Sequence, residues 1–451
     1  IAIKNSTIEG NSQATTGFGP GTISFAGIGG TGQAIRYITI DSNFIRNRSD
    51  LAQSSTNAPA QLIYGGGATA SSVPLKSNIT ISNNALFNFI NGAVNFIQNN
   101  SGAGFGDSIN IIGNSIFEPI NFPSYFQYPI ILQTGNGGGH SISYNKIGGN
   151  ALPNPDITGT WNNNHSDGEI VAINTLNGGA SPYAGTQIIG NTISNMTLNG
   201  LIYTNFIGVR NEYGSVVISN NTIGGSTSAN SIVNYGNGDA TDITANSATI
   251  GIWNQAPNDE VIISNNTIAN IGGVFGGYMT YHYTTGIQHG SNQYHNGVSY
   301  LNRPSGKITL TNNTVSNLFT ASRLSNPGVS PDAMVGIHVY SRSNTSGNVL
   351  SGNTVNNLRA TTYMLNSTGY STRVYGLGVG VAGASSSASG TIEKNYVYDL
   401  NNNSGGSAPE VTAIVLASGS WQANNNVVSV NNSLYSSRSP FIYGMQDWTV
   451  Q

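Results

Sequence analysis

The sequence predicts an all-β solenoid, a chain that coils and lays short strands rung upon rung. Three observations carry this. A ten-residue phrase returns as "VVISNNTIGG" from Val216, "VIISNNTIAN" from Val261 and "ITLTNNTVSN" from Ile308. The residues before its Asn pair alternate with the two-residue period of a strand. Only 7% of the 451 residues are charged, against roughly 25% in an average globular protein. Yet 38% are hydrophobic, and they recur at fixed places, which a disordered Asn/Gly tract would not show.

The corner comes first. Aligned on the second Asn of the phrase, one slot holds Asn43, Asn84, Asn114, Asn145, Asn191, Asn221, Asn266, Asn313, Asn353, Asn395 and Asn426, with Ser6 in a weaker twelfth copy. Asn is among the few non-Gly residues that tolerate a left-handed backbone. Its amide can both donate to and accept from an identical Asn stacked above it, which makes a ladder.

The strands flank that corner. Three residues before the slot the chain is aliphatic from Ile3 and Ile40 through Ile392, with Ala423 the one small member. Two residues after it all twelve positions are aliphatic, from Ile8 and Ile45 to Val397 and Val428. A third strand is expected where a small residue, an aliphatic and a variable residue follow one another. It reads "GVR" at Gly208, "GIW" at Gly251, "GIQ" at Gly286, "GIH" at Gly336, "GLG" at Gly376, "AIV" at Ala413 and "GMQ" at Gly444. The aliphatic is expected to point inward and both neighbours outward, with the Gly/Ala column forming a flat outer floor. One such coil cannot bury its own face, so neighbours must stack.

Composition excludes several functions. Net charge is −3 and no basic block occurs, so nucleic acid is not an expected partner. No run of 18 apolar residues offers a membrane span. The absence of cysteine removes disulfides, iron–sulfur clusters and thiolate zinc sites. No signal peptide is visible, the first residue is Ile1, and that residue already occupies a strand position. The expectation is one continuous β-helix over residues 1–451, cut from a longer extracellular protein.

Three short strands per turn, an Asn ladder at one corner and variable loops at the others resemble the right-handed parallel β-helix of the pectin-lyase-like superfamily. The resemblance covers nearly the whole chain and implies a fold: an all-β, right-handed, single-stranded parallel β-helix of about 12 rungs. It is less specific for activity. The family includes polysaccharide lyases, glycoside hydrolases, phage tailspikes and bacterial adhesin passengers, and in its enzymes substrate lies along the outer face of one strand column.

On that face the variable residue of the third strand gives Asn95, Gln133, Asn174, Arg210, Trp253, Gln288, His338, Gly378, Val415 and Gln446. The expected ligand-binding residues are Arg210, Trp253, Gln288 and His338, walled by Tyr281, Tyr283, His289 and Tyr294 of a His/Tyr-rich stretch. Trp253 offers a face for a sugar ring, and Gln288 and His338 offer donors and acceptors. The plainer alternative is that these aromatics pack loops onto the scaffold. His282, His289 and His295 match no zinc spacing. A second aromatic stretch, "FEPINFPSYFQYPI" from Phe117, is barred from helix by its prolines. It is expected to pack on the side of the scaffold, with a partner-docking patch as the alternative.

No carboxylate falls in the outer column, whereas glycoside hydrolysis usually needs two. Asp239, Asp242, Asp259 and Glu260 suit either a calcium site, an acid/base pair, or solvated loop charges and Asp-assisted turns, the last being preferred. Asp156, Asp167 and Glu169 form a looser set read the same way. No cofactor and no catalytic residue are expected. The function expected is a non-catalytic extracellular or cell-surface rod of the bacterial adhesin type, binding surface glycans or cell-surface proteins. The alternative is a polysaccharide lyase or glycoside hydrolase of the β-helix type.

Overall fold

The computed structural model describes residues 1–13, 21–25, 36–66, 77–97, 108–120, 122, 124–134, 138–151, 157–165, 168–176, 185–200, 204–225, 231–236, 246–257, 259–275, 281–290, 305–324, 332–342, 344–364, 373–380, 387–403, 409–430 and 441–447. Their regular structure is strand. No helix among them is long and apolar enough to cross a membrane. The chain divides into two compact units: Ile1–Asn164 with Gly168–Met196 and Val209–Asn221, and His165–Asp167 with Thr197–Gly208 and Thr222–Gln451. Each is built as a right-handed parallel β-helix with three strands to the rung.

In the first unit, Ala2–Lys4, Arg36–Asp41, Ser77–Ser82, Ile109–Ile112, Ser141–Ser143, Thr186–Ile189 and Val216–Ser219 pair in that order, all parallel, to form the sheet that precedes the corner. The sheet after the corner runs from Thr7–Gly10 to Thr192–Ile193. The third runs from Ile23–Ser24 to Glu169–Leu176. The second unit repeats the plan. Its preceding sheet runs from Val261–Ser264 to Ser420–Asn424. Its third sheet runs from Asn246–Asn254 to Phe441–Asp447.

The residue before the slot has positive φ at all twelve corners. It is Asn5, Asn83, Asn220, Asn265, Asn312 or Asn425, glycine at Gly113, Gly190 and Gly352, and Ser42, Tyr144 or Lys394 elsewhere. The sharp turn it makes aims the slot side chain into the stack. From Asn43 to Asn395 the ladder residues are at most 1% exposed. Asn145 shows the full set of bonds. Its Nδ2 donates to Asn191 Oδ1 at 3.0 Å and to the Ile111 carbonyl at 2.8 Å. Its Oδ1 accepts from Asn114 Nδ2 and from the Asn114 backbone N–H, both at 3.0 Å. In the second unit Asn313, Asn353 and Asn395 repeat the pattern.

The aliphatic two residues beyond the slot lies beneath this corner. Ile45, Leu86, Ile116, Ile147 and Ile193 in the first unit, and Ile223, Ile268, Val315 and Val355 in the second, are 0% exposed. Full burial of each contributes about 1.5–3 kcal/mol. The glycines of the third-sheet phrase face this column instead of solvent, which corrects the expected outer floor. A Cβ on Gly286 would lie 2.4 Å from Val315 Cγ1, one on Gly336 2.3 Å from Val355 Cγ1, and one on Gly376 2.2 Å from Val397 Cγ1. Each glycine and the aliphatic after it both face inward, and the opposing sheet leaves no room for a side chain on the glycine.

A second corner lies four residues past the slot and is absent from the sequence reading. Positive φ recurs there at Asn88, Gly149, Asn195, Asn270, Asn317, Asn357 and Asp399. Asn88 Nδ2 donates to Asn47 Oδ1 at 3.0 Å, and Asn357 Nδ2 donates to Asn317 Oδ1. This turn lets the second-unit strands Thr314–Leu324 and Thr354–Met364 run on for eleven residues each. The column also holds Glu118, which is 2% exposed. Its Oε1 accepts from Phe89 N–H at 3.0 Å, while its Oε2 has no partner among the described residues. Burial raises its pKa well above the usual 4.5, more than the Phe89 and Asn88 N–H groups lower it.

Two outcomes follow. Asn145→Ala orphans the Asn114 N–H and removes the side-chain donor to the Ile111 carbonyl, so urea denaturation is expected to show a loss of about 1–3 kcal/mol. Asn426 is half-buried, so Asn426→Ala is expected to lose less; equal losses would contradict the ladder's role. Glu118 carries a proton in the folded state that the unfolded chain releases above about pH 4.5. Its contribution to stability therefore declines as pH rises. Glu118→Gln is expected to match the parent in denaturation midpoint near pH 4 and to exceed it at pH 8.

Candidate functional site

The outer column of the third sheet forms in the second unit as the spacing predicts. Trp253 pairs with Gln288, Gln288 with His338, and His338 with Gly378. Its accessibility is the correction. Trp253 is 3% exposed, Gln288 1%, His338 6%, Tyr283 5% and His289 0%, so none offers an open face to a ligand. Their side-chain N–H groups serve the fold. Trp253 Nε1 and Gln288 Nε2 both donate to the Gly290 carbonyl, at 3.3 and 3.2 Å. His338 Nε2 lies 3.3 Å from the Gly380 carbonyl. Gly290 and Gly380 have positive φ, so the column pins the turns that leave its strands.

His289 is satisfied on both nitrogens. Nε2 lies 2.9 Å from the Gly306 carbonyl and Nδ1 3.0 Å from Asn254 Nδ2. The Gly306 carbonyl takes an N–H from Nε2, and the Asn254 amide N–H takes a lone pair at Nδ1, which together describe a neutral ring. Burial accordingly lowers its pKa from 6.5 to about 4, against the raising effect of the Gly306 carbonyl. Tyr283 belongs to an internal cluster with Val335, Tyr375, Val415 and Ala417. The Tyr281 backbone pairs with Asn246, but its side chain lies outside the described residues, as does all of Tyr294.

Arg210, in the first unit, is different. Its side chain is 12% exposed, and its neighbours are polar and aromatic. Nε donates to Asn174 Oδ1 at 2.9 Å and to Glu212 Oε1 at 3.0 Å, while Nη1 lies 3.8 Å from Glu169 Oε1. Its guanidinium carbon stands 5.5 Å from the centroid of the Tyr128 ring. The Tyr128 hydroxyl donates to Glu169 Oε1. Two carboxylates thus flank an arginine that the sequence reading left without an acid. Glu212 was legible by period two, since it shares a strand face with Arg210. Glu169 was not, because Asn174 and not Glu169 is its strand's entry in the outer column.

The proline-rich stretch supplies the rest. Phe126–Gln127 forms a short strand that pairs Phe126 with Glu169. Phe122 and Gln127 are buried, whereas Tyr125 is 47% and Phe126 43% exposed. The Phe126 ring stacks 5.8 Å from Tyr128 and meets Tyr125 edge-on at 4.1 Å. Two open aromatic rings therefore run into Tyr128, Glu169, Arg210 and Glu212, with Tyr213 exposed at the end of the strand Asn205–Tyr213 that carries Arg210 and Glu212. This is the concentration of aromatic faces and charged hydrogen-bonding groups that suits a hydroxyl-rich ring.

Electrostatics fix the protonation of this cluster. Burial, then the Glu169 charge, raise the Tyr128 pKa far above its usual 10. Burial alone would lower Arg210, but Glu212, Glu169 and Tyr128 outweigh it and raise its pKa. Both groups hold their protons throughout the physiological range. The acidic residues singled out elsewhere do not join them. Asp156, Asp167, Asp239 and Asp242 lie outside the described residues, and Glu260 pairs with Lys307 Nζ at 2.8 Å. No group of three or more potential metal ligands occurs among the described residues. Comparison of the chain with protein-family models, curated proteins and solved structures finds no match.

The buried imidazoles give a pH test of the second unit. Burial holds His282 at about 3 and His289 at about 4, below the usual 6.5. Between pH 6.5 and 4 only the unfolded chain takes up these protons, so their contribution to stability falls as pH falls. His289→Gln is expected to lose less stability than the parent over that window in urea melts. An unchanged slope would mean that His289 titrates normally.

Proposed function

We propose that the protein is a non-catalytic, β-helical glycan-binding protein of the surface-adhesin type, and that it holds its ligand at Arg210, Glu169, Glu212 and the Tyr125–Phe126–Tyr128 aromatics. The observation that carries this is the run of exposed rings, Tyr125 and Phe126, joined to a nearly buried ion cluster on one face of the third sheet. Flat rings stack on the C–H faces of sugars, and carboxylates accept from their hydroxyls. Display at a cell surface accords with a cysteine-free, low-charge, Asn-rich chain.

A second reading, a polysaccharide lyase or glycoside hydrolase, draws on the two carboxylates beside Arg210. A lyase base at Tyr128 or Arg210 would need a phenolate or a neutral guanidine, and their surroundings favour the opposite form of each. The two carboxylates that a hydrolase would use are engaged within the cluster, Glu169 by the Tyr128 hydroxyl and Glu212 by Arg210 Nε. Binding is therefore the better supported of the two.

A glycan array with reducing-end and unsaturated-product assays separates the readings. Retention without turnover is expected. Phe126→Ala is expected to weaken retention by about 5- to 100-fold, the cost of about 1–2.7 kcal/mol of lost stacking and desolvated contact, with thermal unfolding unchanged. Turnover abolished by Glu169→Gln or Glu212→Gln would decide for the enzyme.

A further inference from the structure

The charge balance of the Arg210 cluster bears on which glycans it can accept. One guanidinium faces two carboxylates, so the cluster carries one surplus negative charge. Arg210 Nε is engaged by Asn174 and Glu212, and Nη1 faces Glu169. The side chains are only 12%, 12% and 22% exposed for Arg210, Glu169 and Glu212. Charges this withdrawn from water are screened less than surface ions. The Tyr128 hydroxyl is committed to Glu169, so it is not a donor waiting for an anion.

From this we infer that the site takes neutral, hydroxyl-rich glycans and rejects chains bearing uronate or other anionic groups. The inference rests on the glycan-binding reading above and adds the ligand class. A neutral sugar donates its hydroxyls to the carboxylate oxygens of Glu169 and Glu212 and lays a C–H face on Phe126 or Tyr125. A carboxylated sugar in the same place meets two like charges, and the one cation between them is already neutralised. Selection comes from repulsion as well as from attraction.

Calorimetric titration with matched oligosaccharide pairs tests this. The pairs are cellohexaose against its C6-oxidised glucuronate hexamer, an α-1,4-galactan hexamer against the α-1,4-galacturonate hexamer, and mannohexaose against its C6-oxidised form. In 20 mM salt the neutral member of any pair that binds is expected to bind about tenfold or more tighter, the scale of one partly buried like-charge contact. Glu212→Gln, and separately Glu169→Gln should the first variant fail to fold, is expected to narrow the ratio to within about threefold. Salt at 500 mM is expected to narrow it in the parent as well. Equal or tighter binding of a uronate by the parent overturns the inference while leaving glycan binding intact, and so does a ratio unmoved by both variants. Binding of no member of any pair overturns the glycan-binding reading and the charge preference with it.

Discussion

Each rung of this protein turns its corner on a left-handed residue and closes that corner with the amide of the rung beyond. The two halves of the device depend on one another. Without positive φ at the position before the slot, the Asn side chain would not be aimed into the stack. Without a neighbouring amide, a buried Asn would carry unsatisfied donors and an acceptor, at a cost of about 1–3 kcal/mol. Once the corner is fixed, the aliphatic two residues later has one place to go, and the glycine of the third sheet has to make room for it. The sheets, the core column and the inward glycines are all consequences of that corner.

The outer face obeys a different logic. In the second unit Trp253, Gln288 and His338 stand in register, but they spend their hydrogen bonds on the glycine carbonyls that end their strands. In the first unit the same column meets a proline-rich segment that cannot join a helix. That segment brings Phe126 beside Glu169 and Tyr128 over Arg210. A column that is structural in one unit thus becomes a polar, aromatic cluster in the other, through one insertion of aromatic chain.

What could be read from the sequence was whatever repeats. The corner, the strand columns and the register of Trp253, Gln288 and His338 all follow from spacing alone. What could not be read was whatever happens once. Glu169 reaches Arg210 from a position outside the repeating phrase. The burial of Trp253 and His289 depends on what packs over the face, which a column of letters does not record. The inward glycines break the strict alternation of a strand, so spacing alone places them on the outer face. The second corner, at Asn88, Asn195, Asn270, Asn317 and Asn357, was present in the letters. Gly149, Glu118 and Asp399 interrupt its repeat.

The ladder also has a sense. In every described link the side-chain nitrogen of one Asn reaches forward along the chain to the side-chain oxygen of the next, from Asn43 to Asn84, Asn114, Asn145 and Asn191, and again from Asn313 to Asn353 and Asn395. No link runs backward, so the amide dipoles within each unit are aligned and polarise one another. Between neighbouring amides the ladder is therefore a one-way template: each Asn offers its side-chain donor to the next Asn and its acceptor to the one before. A segment laid down in reverse would set like against like at every corner. Accretion of rungs, in folding or in the duplication of repeats, is thereby restricted to head-to-tail addition.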